Sequence, residues 1–197
     1  MGTVANLLRA QANPFPYLSA IGWMYNASAA AASTTVTGST SFANTDPTFL
    51  LDIPSGTTCI PSYMSLGQTG TVAGAAISLI MEVDDADRYT SGGTAMTILN
   101  KRVTGGVTLP TNVAFYSATG SAIVAPAGYG NRIMGITVGQ DVSPAEGVSN
   151  ELVWTPPAGG LEVLVGPAAW LIYTYAGTTG PTWFFSFAFA AFPTTEL

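Results

Sequence analysis

The stretch Trp170-Leu171-Ile172-Tyr173-Thr174-Tyr175, then Ala176-Gly177-Thr178-Thr179-Gly180-Pro181, then Thr182-Trp183-Phe184-Phe185-Ser186-Phe187-Ala188-Phe189-Ala190-Ala191-Phe192, decides the fold. Two runs rich in aromatic and β-branched residues flank a loop of small residues, Gly and Pro, which reads as a β-hairpin. Strand side chains alternate, so Trp183, Phe185, Phe187 and Phe189 share one face, and Ser186, Ala188 and Ala190 share the other. Aromatics so aligned bury on the order of 600–1,000 Å² together, which suits the inner wall of a sandwich. The small-residue face carries nothing that demands water and suits contact with a neighbouring subunit.

Working outward, the same punctuation recurs. The chain has 22 Gly and 13 Pro, spread between short runs rich in Val, Ile, Thr, Phe and Tyr. That spacing predicts strands over 48–53, 59–66, 75–84, 94–103, 112–117, 121–124, 132–138, 148–155, 161–165, 169–175 and 182–192. Pro61 lacks an N–H, so it predicts an edge position or a bulge. In 75–84, Ile77, Leu79, Met81 and Val83 point one way and Ser78, Glu82 and Asp84 the other, with Ile80 the exception. This predicts one buried and one wet face. Short connections favour antiparallel neighbours, and the expected architecture is an all-β, antiparallel, jelly-roll-like β-sandwich over residues 46–197.

Residues 1–45 read differently. A short helix fits 4–12, and Asn13-Pro14-Phe15-Pro16 is expected to stop it. The tract 27–41 is almost wholly Ala, Ser, Thr and Gly and reads as a linker. The expectation is an N-terminal extended arm whose apolar anchors, Leu7, Leu8, Phe15, Tyr17 and Trp23, dock on another protein or cover the domain's own flank. With Trp170 and Phe192 they are the candidate interface residues. The tract 1–12 carries one Arg and only a short apolar run, a poor match to a signal peptide.

Composition closes many functional classes. Of 197 residues only 8% are charged, 5 basic against 11 acidic, while 48% are hydrophobic. The pI is about 4.2 and the mean hydropathy +0.37. A disordered chain needs the opposite balance. A nucleic-acid binder needs a basic stripe, and Lys101-Arg102 is the one basic doublet, better suited to an acidic protein surface. There is no His, which removes Ser-His-Asp catalysis and His-ligated metals. The single cysteine, Cys59, forms no internal disulfide and reads as a small buried hydrophobe. The most apolar runs are too short or too interrupted by Glu162, Gly166, Pro167 and Pro193 to span a membrane as helices.

The acidic run Glu82-Val83-Asp84-Asp85-Ala86-Asp87, followed by Arg88, offers oxygen ligands of the kind Ca²⁺ takes. Its spacing is not that of an EF-hand, and the competing reading is a solvated loop. Glu82, Asp84, Asp85 and Asp87 are the metal candidates on that basis, and no cofactor is expected. Glu82, Glu146, Glu151 and Glu162 are the carboxylates from which a glycosidase pair would have to come. Trp154 and Trp170, with Tyr89 and Tyr129, are the candidate sugar platforms. As side chains of a core or an interface the two tryptophans serve packing instead.

The segment Phe49-Leu50-Leu51-Asp52-Ile53-Pro54-Ser55-Gly56-Thr57-Thr58-Cys59-Ile60-Pro61 resembles the opening of jelly-roll structural proteins of tailed and marine bacteriophages. The loop Asp87-Arg88-Tyr89-Thr90-Ser91-Gly92-Gly93-Thr94-Ala95 followed by Asn100 is similar to one in the same proteins. So are Gly166-Pro167 and the closing aromatic hairpin. The likeness covers residues 45–197 and leaves 1–45 out. It implies a virion (capsid) protein with no catalytic residues. Such a protein is a decoration (cement), vertex or minor capsid component, forming a homo-oligomer such as a trimer and bound to the major capsid protein or other virion proteins. It implies neither a nucleic-acid nor a membrane partner. A receptor- or glycan-binding head of a fibre or spike, and the main shell-forming subunit itself, are the alternatives.

Overall fold

The computed structural model describes residues 14–29, 31, 33–69, 72, 76–117, 131–138, 150–157 and 160–197. Helix α1 is Phe15–Ala20, and the strands in order are β1 Met24–Ser28, β2 Val36–Thr37, β3 Phe49–Ile53, β4 Thr57–Thr69, β5 Ile77–Asp84, β6 Thr94–Ala95, β7 Thr97–Asn100, β8 Ala114–Ser117, β9 Asn131–Val138, β10 Glu151–Trp154, β11 Leu164–Val165, β12 Ala168–Ala176 and β13 Thr182–Pro193. They form two antiparallel sheets packed as a sandwich. A seven-stranded sheet runs β10-β4-β13-β1-β7, with β11 on β4 and β2 on β13, and a six-stranded sheet runs β6-β8-β3-β12-β5-β9. The expected strand over 121–124 lies outside the described residues.

The two strands that decided the fold are not paired as the expected hairpin: β12 sits inside one sheet and β13 inside the other, so their connection crosses the sandwich. Alternation along β13 sends Trp183, Phe187 and Phe189 fully into the space between the sheets, with Phe185 packed beside them. There they meet Phe49, Phe115 and Trp170. Phe115 stacks on Phe187 at 4.7 Å, and Trp170 meets the same ring edge-on at 5.9 Å. Such offset and edge-to-face pairs add to the area each ring removes from water.

Pro61 sits at a bulge. Ala188 pairs with Tyr63 and Phe189 with Pro61, which leaves Ser62 as the extra residue of β4. The slip restores alternation, so Met64 and Leu66 beyond it still face the core.

The N-terminal segment departs from the expected arm. Pro14 and Pro16 begin a helix: Pro14 is the N-cap of α1 and Pro16 lies in its first turn, where a missing N–H costs nothing. The expected helix over 4–12 lies outside the described residues. Residues 24–28 are not an arm. Tyr25 and Ala27 are buried in the main core, and β1 is hydrogen-bonded between β13 and β7. The Ala/Ser/Thr/Gly tract therefore includes the end of an interior strand and all of β2. Small side chains give no periodic signal there, and sheet pairing overrides their low intrinsic preference.

Gly22 makes the turn from α1 into β1 possible. Its φ is +87°, and an added Cβ would lie 2.9 Å from the Val107 backbone nitrogen. The turn folds α1 back over the outer face of β13. Leu18, Met24, Ile60, Ala190 and Phe192 form a second cluster there, with Phe15, Ile21 and Trp23 packed against it. The small-residue face at Ala190 is thus covered by this chain's own helix and not by a neighbour.

Candidate functional site

The interface residues expected from sequence resolve into three groups. Leu7 and Leu8 lie outside the described residues. Phe15 and Trp23 pack on their own sandwich, and Trp23 stacks on Phe192 with ring centroids 5.4 Å apart, while Tyr17 stays half-buried on α1. Trp170 and Phe192 are each 0% exposed, so neither side chain is available to a partner. Trp170 belongs to the main core between the sheets, and Phe192 to the second cluster on the outer face of β13, which α1 covers from within.

Of the two readings for the tryptophans, packing holds and the sugar platform does not. Trp154 and Trp170 pack against one another at 5.8 Å inside the sandwich. Tyr89 stacks flat on Tyr116, centroids 4.0 Å apart and planes 8° from parallel. Tyr129 lies outside the described residues.

The acidic run does not converge on one point. Glu82 accepts hydrogen bonds from Arg132 at 3.2 and 3.4 Å, whereas Asp84 accepts from Arg88 at 2.8 Å. Asp84 also accepts from the Ala86 backbone N–H, and Asp87 from that of Tyr89, so both serve as turn acceptors. Asp85 is exposed. Among the described residues no group of His, Cys, Asp and Glu is arranged to hold a metal ion. The possible glycosidase carboxylates are likewise dispersed. Glu82 and Glu151 stand on different sheets, Glu162 precedes β11, and Glu146 lies outside the described residues. Cys59 is fully buried, and burial pushes its thiol well above the ordinary range, which leaves it unreactive.

Two surfaces remain. The first is the outer face of the seven-stranded sheet, whose register lines up its side chains in rows. Glu151, Gly67 and Phe184 form one row; Val153, Ser65, Ser186, Ser28 and Thr97 the next; Tyr63, Ala188, Asn26 and Leu99 the third. Leu99, Val153 and Phe184 are 62, 49 and 46% exposed. Glu151 is the one ionised side chain in these rows. Beside Phe184 a notch of about 350 Å³ opens, bounded by Ser28, Ala29, Ala31 and Thr34.

The second is the outer face of the six-stranded sheet, expected from alternation to be wet. It carries Leu50, Ile80, Ala169, Leu171 and Tyr173 as a third cluster, with Phe42, Tyr89, Tyr116 and Tyr175 packed over it. This accounts for Ile80, which broke the alternation. It also puts Glu82 at 1% exposure beside Tyr173, whose hydroxyl is pushed up chiefly by burial and then by the Glu82 and Asp84 charges. At the β9 end the face falls away into an open groove of about 560 Å³ lined by Phe42, Ile80, Arg132 and Tyr175.

Neither a protein-family model, a curated protein nor a solved structure matches the chain.

Proposed function

We propose that the chain is a non-enzymatic structural protein of a virus particle. In this reading it is a decoration or minor capsid component with a sandwich of the jelly-roll kind, which associates with copies of itself and with the major capsid protein. The observation that carries this reading is the outer face of the seven-stranded sheet. Three large apolar side chains stand there among Ser, Thr, Ala, Asn, Tyr and Gly, with one carboxylate in the three rows. Charge depletion with aromatic and aliphatic protrusions is the composition of an interface core, not of a surface that faces water alone. The resemblance of residues 49–61 and 87–95 to bacteriophage jelly-roll proteins supplies the setting. With 8% charged residues in the whole chain, lattice contacts are a sufficient reason for so apolar a surface.

Mechanistically, such a protein adds buried apolar area across subunit boundaries of a shell. The test is co-sedimentation of the purified chain with shells, together with its mass by light scattering. Binding to shells and a closed oligomer, a ring or a trimer, are expected. A monomer that stays in the supernatant while the shells pellet overturns the reading.

A further inference from the structure

The groove at the β9 end of the six-stranded sheet is built by a register slip. Along β5 and β9, Ile80 pairs with Gly135 and Met81 with Met134, but Glu82 pairs with Arg132, leaving Ile133 as an extra residue. Without this bulge Arg132 would fall out of step with Glu82. With it, Arg132 turns onto the outer face, and both Ile133 and Met134 pack toward the core. Bulges that re-aim one side chain cluster next to binding sites. The buried Glu82 carboxylate holds the guanidinium through Nε and Nη2, and the Arg132 side chain stays 46% exposed beside the groove.

The sheet register then gives the groove its shape. Ile80 and Gly135 form the floor, and nothing but the Arg132 aliphatic stem, at 3.7 Å, stands near where a Gly135 Cβ would be. Arg132 forms one bank. On the other stand Tyr175 and, next to it by register, the Ser78–Thr137 hydroxyl pair, 3.1 Å apart. Phe42 leans over that end, its ring 5.9 Å from Tyr175 and tilted by 54°.

The geometry points to a binding site for a neutral saccharide in this groove, a sugar ring lying against Tyr175 and Phe42 with its hydroxyls reaching Arg132 and the Ser78–Thr137 pair. The walls are amphiphilic in the sense that a pyranose is: aromatic faces attract its C–H groups, and fixed donors and acceptors meet its hydroxyls. An open groove suits one stretch of a longer glycan. A free anion is disfavoured, because Arg132 is already neutralised by Glu82 and the chain carries a net charge of −6. A lipid chain is disfavoured, because the groove is open to water and edged by a charged side chain.

The experiment is retention of the labelled full chain on an array carrying neutral and acidic oligosaccharides. Binding to a subset of the neutral glycans is expected. Tyr175→Ala is expected to weaken it by at least tenfold. Gly135→Val, which fills the floor without removing any core atom, is expected to do the same, so a loss of binding is separable from a loss of fold. Phe184→Asp, on the opposite sheet, is expected to leave glycan binding unchanged, which separates this site from the association face. No retained glycan, retention confined to acidic glycans, or retention untouched by both groove variants overturns the proposal.

Discussion

Trp183 donates its indole N–H to the Thr174 hydroxyl at 3.0 Å, a bond that crosses from the seven-stranded sheet to the six-stranded one. Thr174 is itself 3.0 Å from the Thr48 hydroxyl, and its backbone N–H donates to that same oxygen at 2.9 Å. The Thr174 carbonyl accepts from the Ser39 N–H. A buried polar relay therefore ties the start of β3, strands β12 and β13 and the segment after β2 together. Gly38 belongs to it by necessity, since any Cβ there would collide with the Thr174 carbonyl and hydroxyl.

Thr174→Val keeps the shape and removes the shared hydroxyl, orphaning the Trp183 indole in a dry interior, while the Thr48 hydroxyl keeps its bonds to the Thr174 backbone. The expected loss is about 1–3 kcal/mol, because unsatisfied buried groups cost their desolvation. Equilibrium urea unfolding measures it. Thr174→Ser, which retains the oxygen, is expected to lose less. Equal stability of the Val variant and the parent would mean the relay is not formed in solution.

The N-terminal segment is structural. Trp23→Ala removes the ring stacked on Phe192 and opens the second cluster to water, at an expected cost of about 2–4 kcal/mol. Deleting residues 1–45 removes β1 from between β13 and β7, and with it Tyr25 and Ala27 from the core. The truncated chain is expected to lose its near-ultraviolet circular dichroism. A truncated chain that melts like the parent would restore the arm.

The fold was legible wherever side chains alternate in size and polarity. The aromatic face of 183–189 pointed to the core, and Pro61 pointed to its bulge. What sequence missed has one physical cause. Alternation says that a face differs from its opposite, not what covers it. So Glu82, read as wet, is buried beneath Arg132 and the third cluster, and Ala190, read as free for a neighbour, lies under α1. The groove was missed for a related reason. Phe42, Ile80, Arg132 and Tyr175 come from four separate segments, and a one-residue bulge that no residue type announces places Arg132 among them. The tryptophans drew attention because they are large, and large side chains are those a core takes first.

Asp52 gives stability a pH dependence of definite sign. Burial lifts its carboxyl from 3.8 to about 6; the Asp87 charge adds to this, and the Ile53 backbone N–H opposes it. Between those values the folded chain binds more protons than the unfolded one, so stability falls as pH rises through about 4 to 6, and the penalty is complete above that window. Asp52→Asn keeps the shape without the charge. Because the group is partly solvated, the variant is expected to melt only about 1–3 °C higher at pH 7, with the gap closing toward pH 4. Melting curves from pH 4 to 8 decide; a gap of constant size across that range removes Asp52 as its source.

The outer face of the seven-stranded sheet makes a prediction that separates association from folding. Phe184, Val153 and Leu99 sit on β13, β10 and β7, and β7 lies three strand spacings beyond β10 plus one more, so the apolar protrusions span about 19 Å. All three project into water in the single chain, and polar replacements there are expected to change its stability by no more than about 0.5 kcal/mol. Within an oligomer the same replacements bury an unpaired charge. Phe184→Asp combined with Leu99→Asp is therefore expected to lower the light-scattering mass toward that of one chain while leaving the melting temperature of the isolated chain unchanged. Val163→Asp, at an exposed apolar position before β11 and outside these rows, is the control expected to leave the mass as it was. If the double variant keeps the parent's mass, association runs through another surface, because no close-packed interface centred on Phe184 would tolerate two added carboxylates.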